Sequence, residues 1–166
     1  MDLTFENQKM MLASVNARSE IHGDDREPAG DIGLETNLPN DVLSILHPSL
    51  KSAIYHFDDA RPQDLAEQGK AKEPGYLPHL RFPLLSGPLK WDDEVPNARV
   101  TIRVPGSKQE VVLAPAKVNK ISFDALDGGT VKLAMRVQAH PDERQFGKLS
   151  VLVQQEVEVT LEVLEE

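Results

Sequence analysis

From Leu89 onward, apolar and polar residues alternate almost without interruption, and a period of two fits half-buried strands and little else. Val100, Ile102 and Val104 share one face of a strand over 98–104, and Gly106-Ser107 reads as a two-residue type II′ turn with glycine where φ must be positive. That register sets Ile102 opposite Val111 and Val100 opposite Leu113. A second hairpin follows, in which Ile121, Phe123 and Ala125 run into Asp127-Gly128-Gly129 before Val131, Leu133, Met135 and Val137. A three-residue loop with Gly129 in the left-handed region keeps Phe123 opposite Leu133, whereas a two-residue loop would set buried residues against exposed ones. Beyond Pro141 the alternation predicts one long strand over 148–164, with Leu149, Val151, Val153, Val157, Val159, Leu161 and Val163 on its inner face. A strand that long must bend between two sheets or project as an arm.

The N-terminal half is less regular. Residues 31–38 alternate, with Ile32, Leu34, Thr36 and Leu38 on one side, and predict a half-buried strand. Val42, Leu43, Ile45 and Leu46 follow caps and a proline, and Leu50, Ala53, Ile54 and Phe57 follow Pro48, which together predict two short helices. Residues 1–30 mix a small apolar cluster with a polar run and read as an arm ending in a loop. Residues 58–88 are rich in Pro, Gly, Asp and Lys and read as a long surface loop. Its apolar residues Tyr76, Leu77, Leu80, Phe82, Leu84 and Leu85 imply that the second half packs down. Loops of this length are commonly functional, so this one is a candidate binding surface. The fold class is mainly β: an antiparallel sandwich or partly open barrel of meandering hairpins with two short helices, forming a single domain over 31–166 behind the arm.

Residues 14–24 (Ser14-Val15-Asn16-Ala17-Arg18-Ser19-Glu20-Ile21-His22-Gly23-Asp24), 28–32 (Pro28-Ala29-Gly30-Asp31-Ile32) and 47–55 (His47-Pro48-Ser49-Leu50-Lys51-Ser52-Ala53-Ile54-Tyr55) resemble a family of small uncharacterised proteins of tailed phages and prophages. Asp127-Gly128-Gly129-Thr130-Val131, His140-Pro141-Asp142-Glu143 and Gly147-Lys148-Leu149 add to the resemblance. It implies a phage or prophage origin and the cytoplasm of a bacterial host, and it carries no active-site residue.

Charge narrows the function classes. There are 27 acidic residues against 18 Lys plus Arg, a net charge of −9, so the overall field repels phosphate backbones. The absence of cysteine excludes disulfides and thiolate zinc sites. The acidic N-terminus and the lack of a long apolar run lead to the expectation of neither a signal peptide nor a membrane span. His22 with Asp24 and Asp25, and His56 with Asp58 and Asp59, lack metalloprotease or EF-hand spacing and fall in expected loops, so solvated histidines are the expectation. No nucleophile elbow, Walker A string or dinucleotide fingerprint occurs, and no catalytic residue, metal ligand or cofactor is assigned.

The leading expectation is therefore a non-enzymatic accessory protein acting by protein–protein contact on a host or phage complex. An acidic inhibitor of a host nucleic-acid-binding or defence complex is one form of it, with Glu156, Glu158 and Glu162 of the last strand and Tyr76, Leu80 and Phe82 of the loop as contact residues. A structural or assembly protein, including a homo-oligomer built by strand addition, is a second form. The alternative is single-stranded DNA binding on a basic face of Lys90, Trp91, Arg99, Arg103, Lys132 and Arg136, although aromatic residues make up only 5% of the chain. A plainer role for those cations is pairing with the last strand's glutamates, with Lys132 opposite Glu156.

Overall fold

The computed structural model describes residues 1–71 and 73–165. In chain order the elements are β1 (Phe5–His22), β2 (Asp25–Pro39), α1 (Val42–Leu46), α2 (Leu50–Ile54), β3 (Tyr55–His56), α3 (Leu65–Lys70) and β4 (His79–Leu80). They continue as β5 (Leu89–Trp91), β6 (Val95–Arg103), β7 (Glu110–Ala125), β8 (Thr130–Ala139), α4 (Glu143–Val151) and β9 (Glu156–Val163). The main sheet runs β5-β7-β6-β9-β1-β2-β8, and β8 pairs again with β7, so six antiparallel strands close into a ring. The protein is a mainly β antiparallel fold, and this closure makes it the barrel form of the expected sandwich or partly open barrel.

Closure depends on the two longest strands, each of which changes partner midway. β1 pairs with β9 through residues 5–11 and with β2 through residues 11–22. β7 pairs with β6 up to Val118 and with β8 from Lys117 onward, so the two ladders meet at Val118. A register shift between Asn119 and Ser122, where Lys120 takes φ 51°, bends β7 at that junction. Period-two residues fill the interior: Ile102, Val118, Leu133, Val137, Val157 and Val159 are all 0% exposed. Burial of each such side chain contributes about 1.5–3 kcal/mol relative to exposure, which is why this face sets the register.

Both expected hairpin registers hold, with Ile102 opposite Val111, Val100 opposite Leu113 and Phe123 opposite Leu133. The three-residue loop is present, with Leu126 N–H bonded to the Thr130 carbonyl and Gly129 at φ 96°. The first turn differs in type. Ser107 N–H bonds to the Val104 carbonyl, which makes Pro105 and Gly106 (φ 72°) the central pair of a type II turn instead of Gly106-Ser107 in type II′.

Two larger expectations are corrected. Residues 1–30 are not an arm: β1 and the start of β2 form a long hairpin joined at Gly23-Asp24, and Leu3, Met10 and Leu12 are buried. Its outer part is wet on both faces, which removes the alternation that marks a strand. The long last strand over 148–164 is also absent. Asp142 accepts a bond from Gln145 N–H at 2.8 Å while Gln145 Oε1 accepts from Asp142 N–H at 3.0 Å, a capping box that starts α4. Leu149 and Leu152 pack inward from that helix while Val151 is 71% exposed, so the strand begins only at Glu156. β9 then lies between β6 and β1, and does not project. The two expected helices appear as α1 and α2, and α3 and α4 join them. Among the described residues, no helix is long and apolar enough to cross a membrane.

Candidate partner-binding surface

Residues 58–88 contain structure of their own and are attached to one end of the barrel by backbone and side-chain bonds. β3 pairs with β4, setting Tyr55 opposite Leu80 and His56 opposite His79. Tyr55 is fully buried, and its hydroxyl donates to the carbonyls of Leu126 (2.8 Å) and Thr130 (3.1 Å) in the β7–β8 hairpin. Burial, reinforced by the nearby Asp127 and Asp124 carboxylates, pushes this phenol up to about 12. Asp127 accepts from Arg61 at 2.7 Å and from Leu80 N–H at 3.3 Å, and the Arg61 guanidinium holds its carboxyl below the usual range. Asn40 Nδ2 donates to the Leu77 carbonyl at 2.7 Å, and Gly128 N–H to that of Pro78 at 2.8 Å. Phe57 stacks in tilted fashion on Tyr76 and His79, and His79 Nδ1 accepts from Asp58 N–H.

The next stretch rises from this base. Arg81 N–H bonds to the Ile54 carbonyl (2.9 Å) and Arg81 Nε to that of Ser52 (3.1 Å), while Leu85 N–H closes a turn on the Phe82 carbonyl (3.0 Å). Gly87 crosses β7 so closely that a Cβ there would lie 2.7 Å from Asp124 Oδ1 and 3.2 Å from Asp124 Cα. The inner faces of Phe82 and Leu85 cover Ile54, Leu80, Leu89 and Ala125, leaving about 10 Å³ between them. Outwardly, Phe82 is 58%, Leu84 99% and Leu85 50% exposed. The expectation that the second half of the loop packs down therefore holds for Tyr76, Leu77 and Leu80, holds in part for Phe82 and Leu85, whose inner faces are covered, and fails for Leu84.

Of the other expected contact residues, Tyr76 is half-buried against Phe57, and Leu80 lies within β4. Glu156, Glu158 and Glu162 line the outer face of β9: Glu156 sits opposite Met11, Glu158 opposite both Lys9 and Arg103, and Glu162 opposite Arg99, 3.4 Å from its guanidinium. The expected Lys132–Glu156 pair does not form, because β8 neighbours β2 and β7. Lys132 lies 3.7 Å from Glu35 instead.

The basic residues of the nucleic-acid alternative are distributed around the barrel. Arg99 and Arg103 stand on β6, with Arg103 3.4 Å from Glu110, whereas Lys132 and Arg136 stand on β8, where Arg136 donates to Asn119. Lys90 and Trp91 border an open groove of about 780 Å³ shared with Lys120 and with Asp92, Asp93 and Glu94. Trp91 Nε1 is buried there without a hydrogen-bond partner among the described residues. Mixed charge of this kind is poorly suited to tracking phosphates.

Residues able to hold a metal gather at the opposite end of the β2–β8 ladder, where Glu20, His22 and His140 offer donor atoms within 4.8 Å of one another. Hydrogen bonds from His140, Arg18 and His22 hold the Glu20 carboxyl down at about 2. The sequence groups His22 with Asp24 and Asp25 in an expected loop; the two-residue spacing puts Glu20 and His22 on one face only because β1 runs to His22, and nothing in the sequence ties them to His140. Comparison with family models, curated proteins and solved structures finds no match for the chain.

Proposed function

We propose that this chain is a non-enzymatic phage or prophage accessory protein that works by protein–protein contact, and that the contact is made by Phe82, Leu84 and Leu85. The observation that carries the reading is a fully exposed leucine, Leu84, on a turn whose backbone is already bonded to α2 and closed on itself. Burying such a side chain against a partner contributes about 1.5–3 kcal/mol, and a pre-ordered turn loses little entropy on binding. Large apolar side chains in a group are the usual centre of an interface.

Charge selects the partner. At −9, a second copy brings like charge to the contact, whereas a basic protein is attracted and steered. A basic, nucleic-acid-handling or defence complex of a bacterial host, with an apolar socket inside its cationic surface, has that chemistry. Glu158 and Glu162 of β9 already have cationic neighbours, so the apolar turn is the stronger candidate for the contact.

The test is capture from nuclease-treated bacterial lysate at moderate salt, using wild type and Leu84→Asp. A stoichiometric protein retained by wild type and lost by the variant, with the melting temperature unchanged, is the expected result. The same bound set for both proteins, or bound material that disappears on nuclease treatment, would refute it. So would a wild-type dimer that Leu84→Asp dissociates in sedimentation velocity.

A further inference from the structure

We propose that Glu20, His22 and His140 form a binding site for a divalent transition-metal ion of the zinc, cobalt or nickel class, with the fourth position left to a water or to Glu27, which lies beside His22. The donors come from three chain segments that the sheet brings together. Glu20 and His22 are two apart on β1 and so project from one face. Glu27 of β2 is paired directly opposite Glu20, and His140 follows Ala139, the residue of β8 paired with Gly30. Ladder register therefore sets the positions of these residues, with no dependence on a long loop.

The distances suit a small tetrahedral centre. Glu20 Oε2 lies 2.9 Å from His140 Nε2 and 3.2 Å from His22 Nε2, and His22 Nε2 lies 3.6 Å from Glu27 Oε2. Metal–ligand bonds of about 2.0–2.1 Å to N and O give a tetrahedron with edges of roughly 3.3 Å, close to both distances from Glu20 Oε2, whereas Glu27 lies outside the group of donors within 4.8 Å of one another and would have to swing in to join it. Two imidazoles with carboxylates favour zinc-like ions over magnesium or calcium, which prefer all-oxygen shells.

The support around the carboxylate has the form of an outer shell. Arg18 NH1 engages Glu20 Oε1 at 2.5 Å, which leaves Oε2 to face the two imidazoles. Arg18 Nε is held in turn by Asp31 at 3.0 Å, and Asp31 accepts from Gln138 Nε2 at 3.2 Å. Such partners orient a ligand, and their loss typically weakens a metal by roughly 10–100-fold. Beside the cluster, Arg18, Glu20, Pro115, Lys117, Gln138 and His140 border an open cleft of about 280 Å³, room for a further ligand on the ion.

A metal-free carboxylate bonded to two imidazoles is the competing account, and titration separates them. Zinc chloride is titrated calorimetrically into tag-free protein, and cobalt chloride is followed by visible absorption, whose intensity reports tetrahedral geometry. One saturable site per chain is expected, weakened roughly a hundredfold or more in His22→Ala, His140→Ala and Glu20→Gln, about tenfold in Arg18→Ala, and unaltered in His56→Ala. Circular dichroism of the metal-free variants checks that each is folded. No saturable binding by wild type, or equal binding by folded His22→Ala and His140→Ala, overturns the assignment. Because the site lies beside the Gly30–Ala139 end of the β2–β8 ladder, whereas the layer that carries Leu84 is bonded through Tyr55 to Thr130 at the other end, Leu84→Asp should bind zinc as wild type does.

Discussion

Tyr55 fastens the layer that carries the apolar turn, and its contribution can be isolated by pH. The ring is fully buried and one hydroxyl spans two carbonyls of the β7–β8 hairpin. In Tyr55→Phe the ring stays and only the hydroxyl goes. The Leu126 carbonyl keeps its Gly129 N–H donor and the Thr130 carbonyl its Leu126 N–H donor, so neither is orphaned and the cost at pH 8 is about 1 kcal/mol. That corresponds to a fall of roughly 3 °C in melting temperature for a chain of this size. Wild type carries an opposing liability. Its phenol titrates near 12 when folded and at the ordinary 10 when unfolded, so the folded state retains the proton longer. That stabilisation is complete below pH 10 and is lost as pH rises from 10 to 12. The loss is about 1 kcal/mol by pH 11 and about 3 kcal/mol in full. The two urea-unfolding free energies should therefore cross near pH 11, with the phenylalanine variant the more stable above it. Every other group is common to both proteins and cancels in the difference. A gap between wild type and variant that stays constant from pH 8 to pH 12 would refute the argument, because it would mean the phenol is not shielded from water.

Three further outcomes follow from particular contacts. Gly87→Ala should destabilise by about 1–3 kcal/mol and speed proteolysis within 81–88, since its Cβ meets Asp124 Cα, a rigid backbone atom, at 3.2 Å; unchanged urea stability would show that the chain can lift off β7 freely. Asp142→Ala should cost about 1 kcal/mol by removing the capping box of α4, with Asp142→Asn recovering much of it, both read by urea unfolding. The Asp127 carboxylate should stay ionised below the usual carboxylate range, so its bonds to Arg61 and Leu80 strengthen the attachment above that range and weaken as pH falls through the lowered value. NMR titration of its carboxyl carbon should show the midpoint rising in Arg61→Ala.

Much of the barrel was legible because period-two alternation with one buried face leaves a single workable register. Phe123 opposite Leu133 followed from that rule and from the glycines between them. Alternation misled at 148–151, where Leu149 and Val151 fit a strand equally well. The local signal that decided otherwise, Asp142 followed three residues later by Gln145, was present in the sequence and is a helix start. The hairpin within residues 1–30 was obscured for a different reason. Its outer residues face water on both sides, so burial imposes no pattern on them, although Gly23-Asp24 between paired His22 and Asp25 is an ordinary hairpin turn.

The sequence by itself determined the class of fold, the inner face of most strands, the two N-terminal helices and the acidic balance, because these depend on neighbours a few residues apart. Tertiary structure alone decided which strands meet. It set β9 between β6 and β1, which gave Glu162 to Arg99 and left Lys132 to Glu35. It brought His140 within 2.9 Å of Glu20, 120 residues earlier, and turned Leu84 outward while Leu80 stayed half-buried. A closed ring of strands joins distant segments through backbone bonds that any residue can make, so composition and spacing carry little record of those meetings.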